Sequence, residues 1–140
     1  MLLLRLTASD VVVHNNRMKA KQYLHIKIQS LDEFKRGALA AMKDAEAGRL
    51  RPVPHSFSFQ TYETMHETLT PPRVAIIMTL AATSGPLAIR EVARRVGRDV
   101  QAVHRDVTRL INAGVIERDD EGVRFDYDGL KFDFNVGVAA

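Results

Sequence analysis

The sequence has no cysteine, no tryptophan, and only five prolines and eight glycines in 140 residues. Without cysteine there can be no disulfide framework, no thiolate zinc site and no cysteine nucleophile, a composition that suits a reducing, cytoplasmic setting. No run approaches the ~18 apolar residues needed to cross a bilayer. The opening Met1-Leu2-Leu3-Leu4-Arg5-Leu6 is too short for a signal-peptide core, and no Ala-x-Ala-like cleavage site follows it. The expectation is a cytoplasmic chain with no membrane partner. Low complexity and internal repeats are also missing, and aromatic residues make up only 6% of the chain.

The signatures of common enzymes are missing too. His66-Glu67 has no second histidine at the spacing that a zinc-protease helix needs. His14, His25, His55 and His104 show no ligand spacing with carboxylates. No Gly-rich loop ends in Gly-Lys-Ser/Thr, and no Gly-x-Ser-x-Gly elbow presents a serine. Asp126, Asp128 and Asp133 could gather magnesium, but their alternation with Phe132 and Phe134 fits a solvated strand face better. The reading is therefore no enzyme, no cofactor and no metal.

What is present is an ordinary globular composition, 46% hydrophobic and 26% charged, with a formal net charge of +3. The charge is unevenly placed. Residues 1–50 carry nine basic and five acidic groups and residues 71–118 carry eight and four, whereas residues 119–140 carry two and six. Two basic blocks could attract a polyanion such as DNA, and the acidic tail would repel it.

Hydrophobic spacing divides the chain into three parts. Residues 1–17 read either as a disordered leader ahead of a natural start at Met18 or as an extra edge strand through Val11–Val13. Residues 18–69 form a strand-helix-strand-helix extension. Leu24, Ile26 and Ile28 alternate as a half-buried strand, and Ser30-Leu31-Asp32-Glu33 is a capping box. The helix it opens should bury Leu31, Phe34, Ala38, Ala41, Met42 and Ala45 and end at Gly48. A linker at 49–54, a strand at Ser56–Gln60 and a short helix with Tyr62, Met65 and Leu69 on one side follow.

Residues 70–140 carry the clearest organisation. Thr70-Pro71-Pro72 starts a helix through about Ala82, with Val74, Ile77, Leu80 and Ala81 inward. Ile89, Val92, Ala93 and Val96 give a two-turn helix, and Gly97-Arg98-Asp99 interrupts it. Asp99 caps a third helix with Val100, Val103, Val107, Leu110 and Ile111 inward. A hairpin of Val115–Arg118 with Val123–Tyr127 and a strand through Phe132, Phe134 and Val136 complete it.

A short helix, a glycine turn, a second helix and then a β-hairpin describe a winged helix-turn-helix, so the expected class is α+β: three helices and a hairpin wing, with a small N-terminal strand-helix extension. The alternative is an ordinary helical hairpin in a core. Arg90, Arg94, Arg95, Arg98, Arg105 and Arg109 take outward positions, with Gln101, His104 and Thr108 among them. Gln101, Ala102, Arg105 and Arg109 are expected to face bases, whereas Arg94, Arg95, Arg98, His104 and Thr108 hold the phosphate backbone. Asp106 is expected to pair with Arg109 or Arg105. The acidic tip Asp119-Asp120-Glu121 makes the wing structural, leaving Arg118 or Arg124 at its base as backbone contacts.

The stretches Ile89-Arg90-Glu91-Val92-Ala93-Arg94-Arg95-Val96-Gly97-Arg98-Asp99-Val100 and His104-Arg105-Asp106-Val107, with Gly114 to Arg118 and Phe132-Asp133-Phe134, resemble a family of prokaryotic winged-helix DNA-binding proteins described as MarR-like transcriptional regulators. The resemblance covers about Met18 to Val136. It departs at Ala88, where such proteins often have a capping serine. It implies a homodimeric regulator on double-stranded operator DNA. Some similar proteins are antitoxins, which implies as an alternative a type II toxin-antitoxin role, neutralising a toxin protein partner and autoregulating an operon. The dimer or partner surface would come from the N-terminal unit and the last strand. RNA binding has no aromatic stacking platform to recommend it.

Overall fold

The computed structural model describes residues 21–49 and 55–137, so the expectations for residues 1–17 and most of the linker lie outside the described residues. The architecture is α+β. In chain order it runs β1 (Tyr23–Ile28), α1 (Leu31–Glu46), β2 (Ser56–Phe59), α2 (Tyr62–Thr68), α3 (Pro71–Ala81), α4 (Ile89–Val96), α5 (Val100–Ala113), β3 (Glu117–Asp119), β4 (Gly122–Arg124) and β5 (Gly129–Phe132). Among the described residues, no helix is long and apolar enough to cross a membrane.

The expected alternation places β1 at the centre of a three-stranded sheet, between β2 and β5 and parallel to both. Leu24 and Ile26 are buried. Parallel pairing aligns them with Leu130 and Phe132 on β5, and aligns Ile26 and Ile28 with Phe57 and Phe59 on β2. These residues therefore share one face of the sheet. The last strand starts earlier than its apolar spacing suggests, at Gly129, and Phe134 and Val136 lie beyond it. The shift is fixed at the strand entrance, where the Gln22 amide donates to the Asp128 carboxylate at 2.8 Å and the Asp128 amide returns a bond to the Gln22 carbonyl at 2.7 Å.

One core serves both halves of the chain. Leu24, Ile26, Phe59, Met65 and Leu69 join Ile76, Ile77 and Leu80 of α3, Val92 and Ala93 of α4, Val103, Val107 and Leu110 of α5, and Val115, Ile116, Val123 and Phe125. Val74 and Ala81 pack against the core as expected, and Ile76 joins Ile77 and Leu80 on the buried face of α3, because α3 packs against both α4 and α5 and so buries a wider arc. Val100, the first residue of α5, is 42% exposed, contrary to expectation. The helix α1 is a larger departure. Ser30 caps it by accepting the Glu33 amide at 3.1 Å, yet it buries no residue at all.

The hairpin β3–β4 is shorter than its sequence pattern because Val115, Ile116 and Phe125 turn into the core at either end. It is stitched to the loop between α3 and α4 by two bonds of 2.8 Å, from the Leu87 amide to the Val123 carbonyl and from the Val123 amide to the Leu87 carbonyl. This close approach needs glycine at 122. Its φ is +143°, and a Cβ there would collide with the Leu87 carbonyl.

Gly122→Ala is expected to lower stability by about 2 kcal/mol or more and Tm by roughly 5 °C or more, because strain and backbone collision act together. Calorimetry on the variant checks this.

Candidate nucleic-acid interface

Three local devices set the angle between α4 and α5. Gly97 ends α4 in the left-handed region at φ 71°, and its amide donates to the Ala93 carbonyl at 2.9 Å. No atom lies within 4 Å of a Cβ built there, so the requirement is conformational. Asp99 then caps α5, its carboxylate accepting from the Gln101 and Ala102 amides at 3.0 and 3.2 Å. Beneath the turn, Val92, Ala93, Val103 and Val107 exclude water almost completely. The small Ala93 lets the two helices approach. Ala88 starts α4 without a side-chain cap, as its residue type requires.

With Val103, Val107 and Leu110 inward, the helical period assigns the opposite side of α5 to solvent. Gln101, His104, Arg105 and Arg109 are exposed there, and Ala102 and Thr108 are half-buried at its margins. The structure brings these six expected residues onto one outward surface. Among the described residues, the guanidinium groups of Arg105 and Arg109 form no ion pair, and neither does that of the exposed Arg90 on α4. Val100 and Asn112 are also exposed on this helix, and the sequence reading missed both as candidates. For Asn112 the signal was available in spacing, since it follows Arg105 and Thr108 by seven and four residues; for Val100 it was not, because it precedes Val103 and Val107 by three and seven residues, the spacing of the inward face.

The other arginines are engaged. Arg94 donates to both oxygens of Glu91 at 2.7 and 2.6 Å, and Arg95 adds a bond at 2.9 Å and another to the Thr83 hydroxyl at 3.1 Å. Hydrogen bonds from Arg94 and then Arg95 pull the Glu91 carboxyl down to about 2. The carboxylate therefore stays ionised through the ordinary carboxylate range, and the cluster is lost only as the pH falls to about 2.

Arg98 is not a surface group awaiting phosphate. It contacts one oxygen of Asp106 at 2.8 Å while Arg73 of α3 contacts the other at 3.0 Å. Arg73 also donates to the carbonyls of Glu67 and Thr68, at 2.6 and 3.3 Å. Asp106 therefore pairs with neither Arg109 nor Arg105. It lies three residues after Val103 and four before Leu110, on the flank of the inward face. Its side chain is only 15% exposed.

At the hairpin, the Asp119 carboxylate accepts the Glu121 and Gly122 amides at 2.8 and 3.2 Å, which holds the acidic tip in a tight turn. Arg124 is surrounded by Glu117, Asp119 and Asp126 at 2.9, 3.2 and 3.4 Å. It is no open backbone contact, and of the two expected cations at the hairpin base only Arg118 is without an ion pair among the described residues. Among the described residues, no carboxylate of the acidic tail forms an ion pair with α5: Asp126 faces Arg124, Asp128 accepts the Gln22 amide, and Asp133 lies 3.6 Å from His25. Among the described residues, no three His, Cys, Asp or Glu side chains converge on a metal position.

A family model described as HVO_A0114 matches residues 68–132, from the end of α2 through β5. No curated protein and no solved structure matches the chain.

Asp106→Ala should cost about 2 kcal/mol in urea unfolding, because it leaves two partly buried guanidinium groups without their shared carboxylate. Glu91→Gln should leave stability within ~0.5 kcal/mol, since the cluster it breaks is solvent-exposed.

Proposed function

We propose that the chain is a winged helix-turn-helix DNA-binding regulator that places α5 in the major groove of double-stranded DNA and performs no catalysis. The observation that carries this reading is the outward face of α5, where Gln101, Arg105 and Arg109 stand exposed and unpaired among the described residues while the arginines with structural partners lie elsewhere. The N-terminal part of such a helix reaches base edges. Arginine forks match guanine, and glutamine matches adenine. Val100, at the tip, offers an apolar contact for a thymine methyl group. Arg90, His104 and Thr108 supply phosphate contacts. The carboxylates around the hairpin keep its tip out of the minor groove.

Arg94 and Arg95 take a different role from the one their charge suggests. Glu91 neutralises part of their charge and holds them against α4, so they contribute to the field over the surface more than to individual phosphate bonds. A cytoplasmic regulator without a bound cofactor fits this reading. The two edges of the parallel sheet, β2 and β5, which pair with no further strand among the described residues, support a second reading in which the chain also extends the sheet of a toxin protein. Co-expression with the neighbouring gene product and recovery of the chain alone would count against that.

Fluorescence anisotropy on DNA from upstream of its own gene, with salt titration, tests the first reading. Affinity should fall steeply with salt. Arg105→Ala should cost about 1–3 kcal/mol on the preferred sequence and relax base preference, whereas Arg90→Ala should weaken all sequences alike and lower the salt slope by about 1. Glu91→Gln should tighten binding to every sequence by removing a negative charge from the surface. Absence of binding at low salt would end the proposal.

A further inference from the structure

Strand β2 carries backbone groups that nothing among the described residues satisfies. The His55 and Phe59 carbonyls accept the His25 and Gln29 amides at 2.9 and 2.8 Å, so alternate residues, counted from His55, turn their backbone groups toward β1. The amides and carbonyls of Ser56 and Ser58 therefore point away from the sheet, where no strand among the described residues meets them. Natural sheets blunt such edges with charge or proline. The opposite edge, β5, carries Lys131, whereas Ser56-Phe57-Ser58-Phe59 has neither device. Beside β2 lies a groove of about 360 Å³, lined by Leu31 and Phe34 of α1 together with Ser56, Phe57, Ser58 and Gln60. Leu31 and Phe34 are 53% and 55% exposed. Open backbone groups next to apolar side chains suit one kind of occupant, an extended apolar segment.

We propose that Val11–Val13 of the same chain fills this groove as a fourth strand, antiparallel to β2. The segment lies outside the described residues, which begin at Lys21, so the question is one of reach and direction. The chain enters the sheet at Tyr23, at the end where β2 begins, because His25 is level with Ser56. A strand outside β2 lies two strand spacings from β1, roughly 10 Å. Residues 14–20 span more than ~20 Å when extended and cross that distance with slack. A segment that lies along β2 and then turns into β1 at this end must run opposite to β2. His14-Asn15-Asn16 falls at the turn, where asparagine is favoured. Three β-branched valines suit the strand and match the apolar lining.

Nine of the first thirteen residues are apolar, and their tether is short. A short tether holds a segment at an effective concentration of order millimolar, so it outcompetes a free segment of equal affinity. Occupation of β2 leaves β5 as the edge open to a partner strand, which confines the sheet extension considered above to one side. Neither DNA nor a partner protein is needed for this contact, so it stands or falls separately from the regulatory reading.

Amide hydrogen exchange on the full chain tests the contact. The Ser56 and Ser58 amides should exchange about tenfold or more slowly in the wild type than in the double variant Val12→Pro with Val13→Pro. Adjacent amides of a strand point in opposite directions, so one of the two prolines must remove a bond to β2. The Val103 and Val107 amides should be unchanged, which separates local release from unfolding. The chain has no cysteine, so introduced pairs report alone. On oxidation in dilute solution, Val12→Cys with Ser58→Cys should close an intramolecular disulfide in most molecules, and Val12→Cys with Lys131→Cys in few. The cysteine pairs leave the strand intact and decide the matter even if the proline variant fails to fold. Equal exchange of Ser56 and Ser58 in the wild type and the proline variant overturns the proposal, as do equal yields from the two cysteine pairs. A Ser58 link formed only between two chains overturns it as well, since the groove then holds a segment of a second copy.

Discussion

The orientation of α5 depends on keeping Val103, Val107 and Leu110 dry. Each is fully buried, against Val92, Ala93 and the isoleucines of α3. Burying three such side chains contributes several kcal/mol, roughly 1.5–3 for each. That exceeds what any surface charge pair supplies, so the apolar seam sets the rotation of the helix and the polar residues take the positions that remain. Asp106 falls at the edge of the dry zone and must find partners there, which it does in Arg73 and Arg98. Gln101, Arg105 and Arg109 fall on the far side.

Charge is distributed by the same logic. Three of the four acidic groups of the basic region sit beside particular guanidinium groups, Glu91 beside Arg94 and Arg95, Asp106 beside Arg98, and Glu117 beside Arg124, and the fourth, Asp99, caps α5. Each pairing withdraws a cation from the set available to a ligand. Arg90, Arg105, Arg109 and Arg118 form no such pair among the described residues. A positive region that looked uniform in the sequence thus separates into cations that hold the fold together and cations open to solvent. The proposed DNA contact relies on the second group.

The three-stranded sheet joins the first and last strands of the described residues into this core. β5 follows the hairpin directly and pairs with β1, so Leu24 and Ile26 lie under the same helices that carry the candidate interface. α1 is the exception. Its crossover from β1 to β2 leaves a capped, amphipathic helix with no buried residue, whose Leu31 and Phe34 line an open groove with Ser56, Phe57 and Ser58 of β2.

Much of this was determined by residue order. The period of two in Tyr23–Ile28, the serine and aspartate caps at 30 and 99, the glycine at 97 and the valine spacing of α5 are local rules, satisfied within a few residues, and each element they imply is present. The outward set on α5 follows from the same period and was legible for that reason. Tertiary structure decided which arginines are paired, because Arg73 and Asp106 are 33 residues apart and meet only after α3 packs on α5. It also decided the start of β5, the place of Ile76 in the core and the exposure of Val100 and α1. A hydrophobic period states that a face is apolar, and only the packing of distant elements determines whether anything arrives to cover it.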